Sequence, residues 1–195
     1  DEKRCIGNIN PDWTGGISTS LRWKDLTLSM AFSAQIGGDT YSVTAAVLGQ
    51  QGKLTNTLEG RNDGLVAEGV NVVGTDENGN MICQVNNTIT ENIYNYYKDY
   101  AANRYNLEAY TYDTSFLKLK ELRLEYNFPK SLMSKQKVLQ GVSLAAYATN
   151  VFCLTDYPFY DPEAGTMNGT SMLRGAEAGS YPMARTYGFN LKLKF

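Results

Sequence analysis

Three carboxylates near the C-terminal end are the residues best placed for acid–base chemistry: Asp156, Asp161 and Glu163. A glycosidase needs two carboxyl groups held roughly 5 to 10 Å apart across its substrate, and closeness in sequence does not supply that geometry. Pro158 and Pro162 lie among them and favour a rigid turn, because the proline ring fixes φ. We therefore expect no catalytic residue here. A β-rich hydrolase that uses Asp161 and Glu163 is the alternative.

The residue types on which most enzyme and metal sites depend are scarce. Histidine is absent, which excludes histidine-dependent triads, histidine zinc sites and a histidine general base. The three cysteines lie far apart and are odd in number, which is typical of isolated thiols. Asp76 begins a run that resembles a calcium loop, but Met81 and Asn87 stand where that loop needs glycine and glutamate. We expect a hairpin turn at Asp76, no metal and no cofactor.

Charge and hydropathy exclude two further classes of protein. The 18 basic and 20 acidic residues leave a net charge of -2 without a long run of either sign, so there is no electrostatic footprint for nucleic acid. No stretch approaches the roughly 18 consecutive apolar residues of a membrane helix. A transmembrane β-barrel stays open, because its strands need only about 9 to 11 residues of alternating character.

Alternation of apolar and polar residues predicts five antiparallel strands. The last strand, 186–195, places one set of side chains on a single face: Tyr187, Phe189, Leu191, Leu193 and Phe195. The other strands are predicted over 14–23, 26–35, 115–128 and 142–152. A change of parity near Lys120 predicts either a β-bulge or an early departure of the strand from the apolar layer.

The connections between these strands alternate between short and long. A two-residue turn at 24–25 is followed by a long loop, 36–113, and a second long loop spans 153–185. In the first loop, Asn78-Gly79 predicts a hairpin turn, and Thr90 is the expected cap of a short helix that ends near Tyr100. Short turns on one side and long loops on the other are typical of outer-membrane barrels.

Six sequence blocks, taken in order, carry a family resemblance. They are Ile6-Gly-Asn-Ile-Asn-Pro-Asp-Trp-Thr-Gly-Gly16, Gln35-Ile-Gly-Gly-Asp39, Tyr112-Asp-Thr-Ser-Phe-Leu-Lys-Leu-Lys-Glu-Leu122, Asn127-Phe-Pro-Lys130, Asp156-Tyr-Pro-Phe-Tyr-Asp-Pro-Glu163 and Tyr181-Pro-Met-Ala-Arg-Thr-Tyr-Gly-Phe189. The chain resembles the C-terminal end of SusC/RagA-type TonB-linked (TonB-dependent) outer-membrane transporters. The blocks span nearly the whole chain, and their order and spacing carry the resemblance.

The resemblance implies an all-β fold, an antiparallel transmembrane β-barrel segment with long extracellular loops 36–113 and 153–185. This chain would supply about five C-terminal strands of a large barrel of about 22 strands that encloses a plug. Five strands cannot close on themselves, and open edges are not tolerated in lipid. We therefore expect residues 1–195 to be the C-terminal portion of a longer chain, with the signal peptide, the TonB-contacting segment and the plug domain upstream.

The resemblance also implies a function: active import of glycans or peptides across the Gram-negative outer membrane, energised through TonB, with a SusD-like lipoprotein as a lid. Transport of this kind changes no covalent bond, so no enzyme activity is expected. The final strand is similar to the signal read by the barrel assembly machinery, whose face would comprise Tyr187, Phe189, Leu191, Leu193 and Phe195. The same five side chains are expected to face outer-membrane lipid.

Aromatic residues are abundant in both long loops. In the second loop, the expected contacts with substrate or lid are Tyr157, Phe159, Tyr160 and Asp161. The alternative is packing within the loops or an aromatic girdle at the membrane interface, where Tyr110 and Tyr112 fit best because a predicted strand follows them.

A soluble or surface-exposed β-sandwich that binds carbohydrate is the alternative from another class. It explains the strands and the aromatic residues without a membrane. It predicts a packed core formed by one face of the second strand: Leu26, Leu28, Met30 and Phe32. Whether the substrate is a glycan or a peptide is left open by the sequence.

Overall fold

The computed structural model describes residues 4–90, 92–101, 103, 105–129, 131, 138–159, 161–163, 166–168 and 171–195. The chain forms two compact units. The first comprises Asp1–Thr40 and Thr111–Phe195, and the second, the loop unit, comprises Tyr41–Tyr110. Among the described residues, no helix has both the length and the apolar character needed to cross a bilayer.

The first unit is built on a five-stranded antiparallel sheet in which each strand pairs with the next in sequence. Its strands are β1 Trp13–Trp23, β2 Leu26–Ile36, β3 Phe116–Asn127, β4 Gly141–Thr155 and β5 Thr186–Lys194. These bounds differ from the expected ranges by at most three residues. The antiparallel all-β fold expected from the sequence is confirmed.

The register of the sheet separates an apolar face from a polar face. Residues directly opposite each other on paired strands point to the same side of a sheet. One such row crosses all five strands through Leu21, Leu28, Leu124, Ala146 and Phe189. The adjacent row on the other side runs through Ser20, Ser29, Arg123, Tyr147 and Gly188. The alternation of apolar and polar residues along each strand thus gives the sheet two chemically different faces.

The apolar face is open in the described part of the chain. Phe189 is 81% exposed and Trp23 is 70% exposed. The residues that a β-sandwich would bury, Leu26, Leu28 and Met30, are only half-buried. An apolar surface of this extent facing water is unusual for a soluble monomer. The face therefore requires an apolar environment, and the described residues do not form the packed core that the sandwich alternative predicts.

A β-bulge keeps the apolar face continuous. The register of β2 and β3 shifts between Ala31 and Phe32, where Lys120 is the extra residue on β3. Since one extra residue reverses the parity of a strand, Leu119 and Leu122 lie on the same face. Of the two possibilities raised by the sequence, the structure has the bulge.

A second irregularity lies beside the first, on β4. The register of β3 and β4 shifts between Thr149 and Phe152. Asn150 has a φ of 51°, in the left-handed region that asparagine tolerates better than most residues. Its Nδ2 donates to the Ala184 carbonyl at 2.8 Å, and its own carbonyl accepts from Arg185 Nε at 3.0 Å. The bulge therefore ties β4 to the segment that leads into β5.

The loop unit is a folded unit with short helices and strands. Helix α1 spans Val43–Gln50, and Ser42 caps it by accepting from the Ala45 amide at 3.1 Å. Short 3₁₀ helices cover Thr55–Leu58 and Glu108–Tyr110. A helical segment spans Ile93–Asn95 and continues as a π-helix over Tyr96–Ala101. Short strands of the loop unit span Leu65–Val66, Val70–Thr75, Met81–Val85 and Ile89–Thr90, and Asp39–Ser42 lies at its boundary with the first unit. The described short strands of the first unit are Thr111–Asp113, Thr166–Asn168, Ser171–Leu173 and Ala176–Glu177.

Two local expectations for this unit can be compared with the structure. The hairpin turn is present: Val70–Thr75 pairs with Met81–Val85, and Gly79 has a φ of 86°. Asp76 closes the turn by accepting from the Asn80 side chain and backbone, and these hydrogen bonds lower the pKa of Asp76. The expected helix is also present, but Asn92 rather than Thr90 is its cap, because Thr90 pairs in a short strand.

Deletion of Lys120 removes the extra residue of the bulge. Leu119 and Glu121 then become neighbours, so the strand alternates regularly and Leu122 and Leu124 stay on the apolar face. We therefore expect the full-length protein with this deletion to assemble as a heat-modifiable species in the outer membrane. Insertion of one alanine after Arg123 is the comparison, because it turns Leu124 and Tyr126 toward the polar face at a cost of roughly 1.5–3 kcal/mol for each large apolar side chain and should reduce assembly. Equal assembly of the two variants would contradict the prediction.

Candidate functional site: a charged anchor on the polar face

A buried ion pair fastens the loop 156–163 to the polar face of the sheet. Lys118 lies on β3 opposite Ser33 of β2 and Cys153 of β4, which places its side chain on the polar face. Its ammonium donates to Asp161 Oδ1 and, at 2.7 Å, to Glu163 Oε2. Only 6% of the Lys118 side chain and 10% of the Asp161 side chain are exposed.

Lys120 completes a cluster of two cations and two carboxylates. This bulge residue donates to Glu163 Oε1 at 3.0 Å and is more exposed than Lys118. We call Lys118, Lys120, Asp161 and Glu163 the anchor cluster. Charges can be buried at tolerable cost only when they are paired and hydrogen-bonded, a condition that the cluster meets.

Further contacts fix the geometry of the anchor cluster. Asp161 Oδ1 accepts from the Glu163 amide at 2.8 Å, so the backbone turns tightly between the two carboxylates. The Lys118 ammonium also lies 4.6 Å from the centre of the Phe116 ring, within range of a cation–π interaction. The loop is therefore held by charge, by a backbone hydrogen bond and by an aromatic neighbour.

Aromatic packing holds the beginning of the same loop. The Tyr112 ring lies 6.0 Å from the Tyr157 ring and 5.9 Å from the Phe159 ring, and both pairs pack edge to face. Tyr157 is only 6% exposed. Burial raises the pKa of the Tyr112 hydroxyl, because the tyrosinate form would lose its hydration.

The structure places the residues expected to contact substrate or lid in different environments. Tyr157 is buried and Phe159 is half-buried in the ring cluster, while Asp161 is paired with Lys118. Tyr160 lies outside the described residues. A ligand contact by these residues stays a prediction, and for Tyr157 it would require the loop to open.

Tyr110 and Tyr112, the two tyrosines that fit an aromatic girdle best by sequence, also pack within the loops. Tyr110 is buried at 4% exposure, and Tyr112 packs on Tyr157 and Phe159. A girdle residue presents its ring to the membrane interface. The contacts therefore support the other interpretation, packing within the loops.

The carboxylates of Asp161 and Glu163 are engaged in ion pairs with lysines of the sheet. Asp161 and Glu163 neutralise Lys118 and Lys120, which leaves neither in the arrangement of an acid and a base across an open cleft. The described residues contain no cluster of three or more metal-ligating side chains. A cleft of about 310 Å³ borders the cluster and is also lined by Cys153, Met183 and Arg185. The arrangement can hold the loop against the sheet and leaves a cleft beside it.

The two lysines of the anchor cluster were not identified as site residues from the sequence. Their partners are more than 40 positions away, so no local spacing reveals the pairs. The only signal in the sequence was a pair of lysines on a strand that is otherwise rich in leucine, Phe116–Asn127.

The residues expected to form the insertion signal lie along one face of β5. Tyr187, Phe189, Leu191 and Leu193 lie opposite small or aliphatic residues of β4 on the apolar face. Phe195 follows the strand and is 70% exposed. Their recognition by assembly machinery stays a prediction.

An antiparallel sheet with one open apolar face and one charged face that holds a loop is typical of the wall of a membrane barrel. Comparison with known proteins identifies relatives of the chain. TonB-dependent receptor P3 of Formosa agariphila is 30% identical over the whole chain, and TonB-dependent receptor P26 of the same organism is 26% identical. No protein-family model matches the chain. The chain spans only 17% and 18% of the length of these two relatives.

Solved structures agree with the fold. The RagAB peptide importer in its closed-closed state matches 98% of this chain with a TM-score of 0.67 and 23% identity, and the open-open state matches with a TM-score of 0.61 and 21% identity. Each match covers 18% of the solved chain. The resemblance drawn from the sequence is thus confirmed: the whole chain aligns with a stretch of TonB-dependent receptors, and its fold matches that of a stretch of the RagAB importer.

Replacement of Lys118 by methionine tests the anchor cluster. We expect the opening free energy of loop 156–163 to fall by about 3–5 kcal/mol, because Asp161 would keep a buried charge without its main cation. Hydrogen exchange of the loop amides in the full-length receptor measures this free energy. The double variant Lys118→Met with Asp161→Asn should lose less than the single variant.

Arg123→Met is the matched control for that experiment. Arg123 pairs with Glu125 at 2.7 Å, but 41% of its side chain is exposed. Its loss should therefore cost no more than about 1 kcal/mol. If Lys118→Met opened the loop no more than Arg123→Met, the anchor would not be the main restraint.

Tyr112 gives a prediction for alkaline pH. Its folded pKa is raised above the ordinary value of 10.0, so the ring packing contributes fully below that pH and is weakened as pH rises through the folded pKa. The measurement is the tyrosinate absorbance of the wild-type receptor minus that of Tyr112→Phe. We expect the difference to develop above pH 10. A midpoint at or below pH 10 would contradict the burial argument.

Proposed function

We propose that this chain forms part of the wall and loops of an outer-membrane active transporter that imports oligosaccharides or peptides. The observation that carries the proposal is the continuous apolar face of the five-stranded sheet, backed by a polar face that bears charged residues. Such a sheet suits a wall between lipid and a water-filled interior. The match of the whole chain to TonB-dependent receptors supports the same function.

In this proposal the protein does physical work rather than covalent chemistry. The apolar face contacts lipid, and the polar face borders the path of the solute. Energy comes from TonB, through a segment outside this chain. The anchor cluster keeps loop 156–163 against the polar face of the wall.

The loops and the last strand have proposed partners. The loops 36–113 and 153–185 lie outside the cell, where a SusD-like lipoprotein closes over the mouth. Structures described as those of a peptide importer in open-open and closed-closed states have the same fold over this region, which supports a transporter that alternates between states. The barrel assembly machinery reads the β5 face that contains Phe189 and Leu191.

Uptake in cells tests the transport function. The full-length receptor is produced in a Gram-negative host, with its lipoprotein, and labelled oligosaccharides and peptides are supplied separately. We expect accumulation of one of the two classes that disappears when the host lacks TonB. Accumulation that is independent of TonB, or a protein that purifies folded from the soluble fraction, would contradict the proposal.

Two neighbouring residues of β5 test the orientation of the wall. Phe189→Arg places a charge on the apolar face, which costs roughly 2–4 kcal/mol near the centre of a bilayer. Asn190→Arg places the same charge on the opposite face and is the matched control. We expect the amount of heat-modifiable barrel to fall sharply only for Phe189→Arg. The reverse order would mean that the polar face contacts lipid.

A further inference from the structure

The loop unit contains a cavity that the wall function does not use. Its volume is about 400 Å³, and all its lining residues belong to residues 41–110. The polar and aromatic side chains that line it are Gln50, Gln51, Thr57, Arg61, Tyr94 and Tyr97. They come from three segments: the end of α1, the 3₁₀ helix Thr55–Leu58 with the turn after it, and the helix that begins at Ile93.

Two of these side chains are held rigidly. Arg61 donates through Nε to the Thr57 carbonyl at 2.8 Å and through Nη2 to the Gly52 carbonyl at 2.5 Å. The Tyr97 hydroxyl lies 3.1 Å from the Glu59 carbonyl. A binding site that is already ordered pays less entropy when a ligand arrives. The part of the lining formed by Arg61 and Tyr97 is therefore already ordered.

The other polar groups that line the cavity are available to form hydrogen bonds with a ligand. Within the described residues, the side-chain amides of Gln50 and Gln51 and the hydroxyl of Tyr94 make no hydrogen bond, although Gln50 is half-buried. The Tyr94 ring is 68% exposed, and the Lys98 ammonium lies 5.6 Å from its centre. Two planar amides that make no hydrogen bond in the described part of the chain, and a largely exposed ring whose described neighbour is the Lys98 ammonium, thus border one cavity.

The charged side chain of the lining, Arg61, is already engaged, because its guanidinium donates to the Thr57 and Gly52 carbonyls. A second cation, Lys98, is not part of the lining and approaches the Tyr94 ring. Among the described residues, the polar side-chain groups of the lining that make no hydrogen bond are the two glutamine amides and the Tyr94 hydroxyl, all of which are neutral. They therefore favour an uncharged ligand that forms hydrogen bonds.

We propose that the cavity binds a pyranose unit of an uncharged oligosaccharide, with Tyr94 stacked on the sugar and the amides of Gln50 and Gln51 bonded to its hydroxyls. An aromatic face packs against the C–H groups of a sugar ring, and a planar amide can donate to one hydroxyl while accepting from its neighbour. A peptide would instead use apolar pockets or a free strand edge. This inference rests on the proposed function, which places the loop unit outside the cell.

Calorimetry on the purified full-length receptor tests the inference. The probes are cellohexaose, laminarihexaose and xylohexaose, with hexa-alanine as the peptide comparison. For the oligosaccharide that binds, we expect Tyr94→Ala to raise the Kd about tenfold, because it removes the stacking surface. Gln51→Ala should raise the Kd several-fold through lost hydrogen bonds.

Tyr181→Ala is the matched control, since Tyr181 is 92% exposed and lies outside the loop unit. It should leave the Kd unchanged. The inference fails if none of the three oligosaccharides binds, if hexa-alanine competes for the Tyr94-dependent site, or if Tyr94→Ala weakens binding no more than Tyr181→Ala.

Parallel uptake assays separate this inference from the proposed function. Tyr94-dependent binding in a receptor that imports nothing would overturn the transport function and support the cavity. Import that depends on TonB, combined with binding that is indifferent to Tyr94, would support transport and overturn the cavity.

Discussion

The structure depends on the fact that a β-strand has only two faces, and in this sheet one face is apolar and the other is polar. Every strand must present its apolar side chains to the same side as its neighbours, so one register satisfies all five strands at once. A slip by one residue would turn a whole strand's apolar set to the polar side. The extra residue at Lys120 is the point at which β3 corrects its parity to meet this constraint.

The same correction places the groups that hold the loop. Lys118 precedes the bulge and points to the polar face, and Lys120 is the bulged residue itself. Both reach Glu163, so the irregularity of the sheet and the position of loop 156–163 are parts of one arrangement. The bulge on β4 adds a second tie, through Asn150, to the segment before β5. Both register shifts of the five-stranded sheet thus lie where loops attach to it.

The sequence predicts those features that depend on local periodicity and turn chemistry. The long strands, the parity change near Lys120 and the hairpin at Asn78-Gly79 all have short-range signals, and the structure contains each of them. Helix α1 was not predicted, because Val43–Gln50 contains β-branched residues and a glycine and shows no apolar stripe. The cap at Asn92 was misplaced because Thr90 is an equally good capping type.

The candidate site could be predicted only in part, because its contacts join distant segments. The sequence drew attention to Asp161 and Glu163, but their lysine partners become visible only when β3 is placed beside the loop. Burial of Tyr157 is likewise a property of the ring cluster with Tyr112, not of the aromatic motif itself. The cavity beside Arg61 joins three segments of the loop unit and has no signature in any one of them.

The order of strands has a consequence for the chain when it is separated from its neighbours. Within the described residues, β1 and β5 each pair on one side only, so their outer backbone amides and carbonyls are free to recruit a strand from another molecule. The apolar face would add hydrophobic adhesion to this pairing. Residues 1–195 produced alone in water should therefore form β-rich aggregates by templated strand addition. Detergent would block adhesion of the faces but leave both edges open.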